Sequence, residues 1–197
     1  MRRRTFDALM VVAGLVLTAI LLVAGGLLTW GHVFVGNEVH SQLAAQKIVF
    51  PAAGSAEIKA LPRADAAAMT VYAGQAMTTG AQAQAYADHF IAVHLGEIGG
   101  GLTYSQLSAK AMAAPANVKL AAQVETVFKG TTLRGMLLNA YGFWQLGQIA
   151  WFAAIAAFAG AALMLILSLF GVWHLRRAPE TAEVLPRVSH PAKVLTA

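Results

Sequence analysis

Two stretches carry no Asp, Glu, Lys or Arg for longer than a bilayer core is thick. One is Ala8–Trp30, ALMVVAGLVLTAILLVAGGLLTW. The other is Gly135–His174, GMLLNAYGFWQLGQIAWFAAIAAFAGAALMLILSLFGVWH. A hydrocarbon core about 30 Å thick takes roughly 20 apolar residues as a helix. Trp151 and Trp173 stand 22 positions apart, which is about 33 Å at the helical rise. That spacing puts one indole at each interface, where amphipathic rings prefer to sit. The pattern predicts transmembrane helices over 8–30 and 146–174, the second with a long approach segment.

Between them the pattern is helical. Past Trp30, Val35, Val39 and Leu43 keep helical spacing, which predicts that the first helix projects beyond the bilayer. Pro51, Gly54, Ser55 and Pro62 mark a connection from Lys47 to Pro62, with a short extended piece at Ile48–Phe50. Asp65 is placed to cap a helix through about Met77. Thr79 with Gln82, and Thr103 with Gln106, have capping-box spacing. The first box opens a helix carrying Tyr86, Phe90, Val93 and His94 toward Glu97, stopped by Gly99, Gly100 and Gly101. The second opens a helix to about Met112. Pro115 suits the first turn of another, ending at Gly130. Thr131 or Thr132 then caps the last helix, where Leu133, Met136, Leu137, Ala140, Tyr141 and Trp144 form an apolar stripe. Uncovered, that stripe would face water, so it predicts a cover: Tyr86, Phe90, Ile91 and Val93, with Leu120, Val124 and Val127 from the preceding helix. The expected fold is all-α, two transmembrane helices flanking an extracytoplasmic helical bundle built on their outward extensions.

Composition sharpens this. Hydrophobic residues make up 58% of the chain and charged residues 12%, too apolar for an ordinary soluble domain. The net charge is +5, but the basic residues cluster beside the apolar stretches rather than on a recognised module, so no nucleic-acid partner is expected. There are no cysteines, which excludes disulfides, thiol catalysis and thiolate metal sites. Arg2, Arg3 and Arg4 precede the first stretch, and Arg176 and Arg177 follow the second. The positive-inside rule puts both ends in the cytoplasm. The expected layout is a cytoplasmic N-terminus (1–7), the first span (8–30), an extracytoplasmic helical domain (31–145), the second span (146–174) and a disordered cytoplasmic tail (175–197). The expected location is the cell membrane. The first apolar run exceeds the roughly 7–15 residues of a signal-peptide core. No small-x-small site follows in Gly31, His32, Val33 and Phe34, so an uncleaved anchor is expected.

Three segments carry a family resemblance: AYADHFIAVHLGEIGGGLTYSQLS (Ala85–Ser108), TLRGMLLNAYGFWQLGQIA (Thr132–Ala150) and GVWHLRRAPE (Gly171–Glu180). With them the chain resembles a family of small actinobacterial membrane proteins of unknown function. The resemblance implies two spans around an extracytoplasmic helical region. Some members carry the label of aromatic ring-opening dioxygenases. The resemblance supplies no assigned catalytic residues.

The best metal-like set is His89, His94 and Glu97, since two histidines and a carboxylate can form an iron facial triad. On a straight helix the two histidines would stand about 140° apart, whereas zincins space theirs at i and i+4. The simpler reading is a His94–Glu97 pair near a helix end. His32 and His40 are candidates to face a quinone or a proton path, or else are polar surface residues. Gly99, Gly100 and Gly101 lack the phosphate-loop pattern and read as an inter-helix turn, or as a hinge or partner contact. Gly14 and Thr18, with Ala156, Gly160 and Ala161, are small residues that let membrane helices approach, in one chain or in a homodimer. No nucleophile elbow, kinase set or dinucleotide motif is present. No cofactor is predicted beyond a possible metal. Partners are the lipid bilayer and a membrane protein or a second copy. Three readings stand in this order: an accessory or interaction protein, a metal- or quinone-dependent oxidoreductase, and a sensor acting through a partner.

Overall fold

A computed structural model describes residues 3–177. The expected disordered tail lies outside them, apart from its first residues. Among the described residues the chain is all-helical, with a single isolated bridge between Val49 and Ala76. Two helices are long and apolar enough to cross a membrane: α1, Arg3–Ala45, and α7, Val118–Arg177. Between them lie α2 (Ala56–Lys59), α3 (Arg63–Thr70), α4 (Gly80–Tyr86), a π-turn (Ala87–Ile91), α5 (Ala92–Ile98) and α6 (Tyr104–Ala113). The chain divides into two compact units. One is Trp30–Trp151; the other joins the residues up to Thr29 with those from Phe152 on.

In the second of these units the helices meet along small residues. Val11, Gly14, Thr18 and Gly25 are buried on α1, and Ala154, Ala161 and Ser168 on α7. The α7 positions recur every seven residues, the repeat of a left-handed helix pair. Gly14 leaves room for the Ser168 side chain, and Gly25 for the Phe158 ring. The Thr18 hydroxyl donates to Gly14 O at 2.8 Å, so its burial leaves no donor unpaired. The small residues expected to pack are shifted by register: Ala161 is buried and Gly160 half-buried beside Leu21, but Ala156 is exposed.

The Trp30–Trp151 unit has a true core. Val39, Leu43, Phe50, Ile58, Leu61, Met69, Met77, Ala83, Ala87, Ile91 and Leu137 form one buried cluster. As the spacing predicts, α1 continues past Trp30 and buries Val39 and Leu43. It stops at Lys47, which takes a positive φ of 53°. The extended piece at Ile48–Phe50 pairs with the chain before α4: Phe50 N donates to Gln75 O and Met77 N to Ile48 O, each at 2.9 Å. The connection also contains α2, capped by Ser55 and missed by the apolar pattern because it is one turn long.

Both capping boxes form. Thr79 and Gln82 close reciprocal bonds at the start of α4, and Thr103 and Gln106 at the start of α6. Gly100 and Gly101 take positive φ, 58° and 76°, which ends α5 as expected. Three boundaries differ from expectation. Asp65 lies inside the first turn of α3 rather than capping it, and α3 ends at Thr70, with the chain turning through Gly74 at φ 72°. Pro115 lies before the last helix and not in its first turn: that helix begins at Val118, and Asn117 caps it, its Oδ1 accepting from Leu120 N at 3.0 Å. Gly130 does not end a helix. It lies within α7 because a Cβ there would run into the Leu95 side chain, so it serves close packing. Thr132 is then a mid-helix residue, bonding back to Phe128 O.

That continuity has a cost in coverage. Leu120, Val124 and Val127 sit on the same helix as the stripe and cannot fold back over it. Leu137 is buried, and Ala140 and Trp144 pack against the core. Leu133 and Met136 remain 41% and 63% exposed.

Candidate functional site

The uncovered part of the stripe forms one wall of a groove of about 570 Å³ between α1 and α7, inside the Trp30–Trp151 unit. Its floor is apolar: Val35, Val39, Leu43, Leu137 and Ala140. Phe34, Glu38 and Gln42, each four apart on α1, line it as one row, and Gln46 lines it from the turn just past that helix. Met136, Asn139 and Phe143 line it from α7. Phe34 and Phe143 are the row members nearest Trp30 and Trp151 in sequence, and the Phe34 ring stacks on Trp30 at 5.5 Å. Glu38 is the one charged lining residue. Its Oε1 accepts from Gln42 Nε2 at 2.5 Å. The volume is that of an ordinary small-ligand site.

The predicted metal set is placed apart. His89 sits in the π-turn, with Nδ1 2.7 Å from Asp65 Oδ1. His94 Nδ1 lies 2.7 Å from Phe90 O, and its ring packs on the Phe90 ring at 4.4 Å. A carboxylate and a carbonyl only accept, so each Nδ1 carries the proton. Glu97 is exposed and is not bonded to His94. Among the described residues no three His, Cys, Asp or Glu side chains converge as a metal would need. His32 and His40 do not converge either. His32 Nδ1 bonds Gly147 O at 2.9 Å and its ring stacks on Trp151, while His40 is exposed. Gly99 is buried, with Leu102 O and Leu95 O where a Cβ would stand, and Gly100 and Gly101 form an exposed turn.

No family model, curated protein or solved structure matches this chain. The geometry must therefore carry the reading.

The π-turn is held by a residue the sequence reading left unassigned. Arg134 Nε donates to Ala87 O at 3.2 Å and its Nη2 to Asp88 Oδ1 at 2.6 Å. Ala87 O also accepts from Ala92 N, the wide i to i+5 bond of a π-turn. The signal was available: Arg134 falls on the half-buried face of α7 between Gly130 and Leu137, where a charge needs a partner. Beside it Tyr86 packs between Phe50 and Phe90, at 5.3 and 4.8 Å. Burial pushes its phenol above the ordinary value.

The other unit has a smaller pocket, about 240 Å³, lined among others by Asp7, Ser168 and His174. Among the described residues Asp7 Oδ2 and Ser168 Oγ are buried with no hydrogen-bond partner, and His174 Nε2 stands 3.9 Å from Asp7 Oδ2.

Proposed function

We propose that this chain is a two-span protein of the cell membrane that holds a helical module, residues 31–145, on the outer side, with both termini in the cytoplasm. The module serves as an accessory or interaction element for another membrane or envelope component. One observation carries the membrane reading. The apolar windows of α1 and α7 are only 22% and 11% buried. Ile20, Val23 and Leu27 on α1, and Phe152, Leu163 and Phe170 on α7, are each more than half exposed. Water would not tolerate so continuous an apolar surface, and lipid covers it without a partner. The arginines at the outer ends of the two runs support the orientation.

The groove favours a second reading, a sensor acting through a partner, because detection needs a cavity in the outer module. The oxidoreductase reading has less support, since His89 and His94 are engaged separately and Glu97 is exposed.

Reporter fusions test the topology. An enzyme active only outside the cytoplasm should be silent when fused at Ala197 and active when inserted at Gly54; the reverse pattern overturns the layout. N-terminal sequencing should find mature protein beginning at or near Met1. Co-purification in mild detergent, scored for stoichiometric protein partners, tests the accessory role.

A further inference from the structure

The groove between α1 and α7 is graded along its length. At the end nearest Trp30 and Trp151 in sequence it is walled by Phe34 and Phe143; further along it is lined by Glu38 and Gln42 on α1 and by Gln46 just past its end. The apolar end is continuous with more apolar surface, since Phe34 stacks on Trp30 and both are more than half exposed. The polar row carries one carboxylate, and among the described residues no Lys or Arg lines the groove. The Glu38–Gln42 bond holds that carboxylate in place on the helix.

From these features we infer that the groove binds one acyl tail of a zwitterionic phospholipid whose head carries an ammonium group. This rests on the membrane placement proposed above. The part of the tail nearest the head lies along Val35 and Ala140, and the rest runs out past Phe34 and Phe143. The ammonium head sits by Glu38, where opposite charge favours it and a net anionic head is repelled. Phe34 and Trp30 extend the apolar end of the groove along α1, so a tail can follow apolar surface into it. The apolar floor supplies affinity and the few polar groups supply orientation, the usual division in a small-ligand site.

Photo-crosslinking of the full chain in nanodiscs tests this. Two probes carry the same diazirine-bearing acyl chain, one on phosphatidylethanolamine and one on phosphatidylglycerol, at equal mole fraction. Labelled peptides are mapped. Labelling of Leu15–Leu27 and Phe152–Phe170 reports membrane insertion, and labelling of Phe34–Leu43 and Met136–Phe143 reports the groove. The expected result is that both probes label the spans equally, while the ethanolamine probe labels the groove roughly fivefold more than the glycerol probe. Glu38→Gln, at an exposed position, should level the two probes in the groove. Ala140→Phe should fill the floor and lower groove labelling by both probes, with span labelling unchanged. Spans labelled with an unlabelled groove, or a groove that labels equally with both probes in the parent, overturns the inference and leaves the membrane reading standing. Crosslinks from groove peptides to a second copy in place of lipid also overturn it. Unlabelled spans overturn the membrane reading, and the inference with it. Should Ala140→Phe fail to fold, the Glu38→Gln comparison decides alone.

Discussion

Arg134 on α7 is bound to Asp88 in the π-turn, Nη2 to Oδ1 at 2.6 Å, while its Nε serves the Ala87 carbonyl at 3.2 Å. One side chain thus satisfies both the charge and the backbone group that the extra residue of the π-turn turns outward. Arg134→Met should cost about 1–2 kcal/mol, allowing for partial exposure of the pair. Amide exchange should rise locally at residues 87–92. Arg134→Lys should recover little, because a single ammonium cannot serve both acceptors in the fixed fork of a guanidinium. Unchanged exchange in the Met variant would show that the π-turn stands without Arg134.

Two glycines should respond to alanine with opposite sign. At Gly80 a Cβ would collide with the Trp144 Cβ and lie 2.6 Å from its Cγ, atoms close to the backbone that cannot swing away. Gly80→Ala should therefore destabilise the unit by about 1–3 kcal/mol. Gly142 lies in α7 with nothing within 4 Å of a Cβ. Gly142→Ala should stabilise by about 0.5–1 kcal/mol through helix propensity. Rates of limited proteolysis in detergent would rank the two against the parent.

Core and groove should separate in the same assay. Phe50 is 2% exposed and Met136 63%. Phe50→Ala should cost about 3–5 kcal/mol and speed cleavage between Pro62 and Gly130. Met136→Ala should stay within about 0.5 kcal/mol. Equal sensitivity of the two would mean that the α7 stripe is covered after all.

Tyr86 gives the Trp30–Trp151 unit an alkaline limit. Burial raises its phenol, so the folded chain keeps the proton at a pH where the unfolded chain releases it. Its contribution is fully present below the ordinary tyrosine value of about 10 and is lost as pH rises through the raised one. Stability should fall more steeply above about pH 10 in the parent than in Tyr86→Phe. Proteolysis rates at about pH 8 and about pH 10.5, compared between the two proteins, would measure it. Parallel losses would assign the effect to other groups.

The sequence made legible what is written in short range. The two apolar helices, the extension of α1 through Val39 and Leu43, both capping boxes and the stop at Gly100 and Gly101 follow from residues a few positions apart. What it hid depends on partners distant in sequence. Gly130 reads as a stop until Leu95 is seen against it. Because α7 runs on through Gly130, Leu120, Val124 and Val127 cannot cover Leu133 and Met136, while Leu137, Ala140 and Trp144 still reach the core. The groove is the same fact seen from the other side. The π-turn was hidden because a straight helix was assumed through Ala87–Ile91, and Arg134, which holds it, lies 46 residues away from Asp88. The partner of His89, Asp65, was hidden for the same reason, lying 24 residues away.

The neck formed by Ile48 and Phe50 against Gln75 and Met77 bears on how the chain is made. Of the eleven buried core residues, ten lie between Val39 and Ile91 and only Leu137 belongs to α7, among the described residues. A ribosome adds on the order of 5–20 residues each second, so the last hundred or so residues take several seconds to follow. The neck joins segments close in sequence, where loop closure is inexpensive. The nascent chain can therefore close its neck and gather most of its core before α7 has been made. The long second helix then arrives as a late strut, laid against a surface already in place. Pulse proteolysis of stalled chains ending near Asn117 should find Phe50–Ile91 already resistant. Protection appearing only after Leu137 emerges would reverse that order of birth.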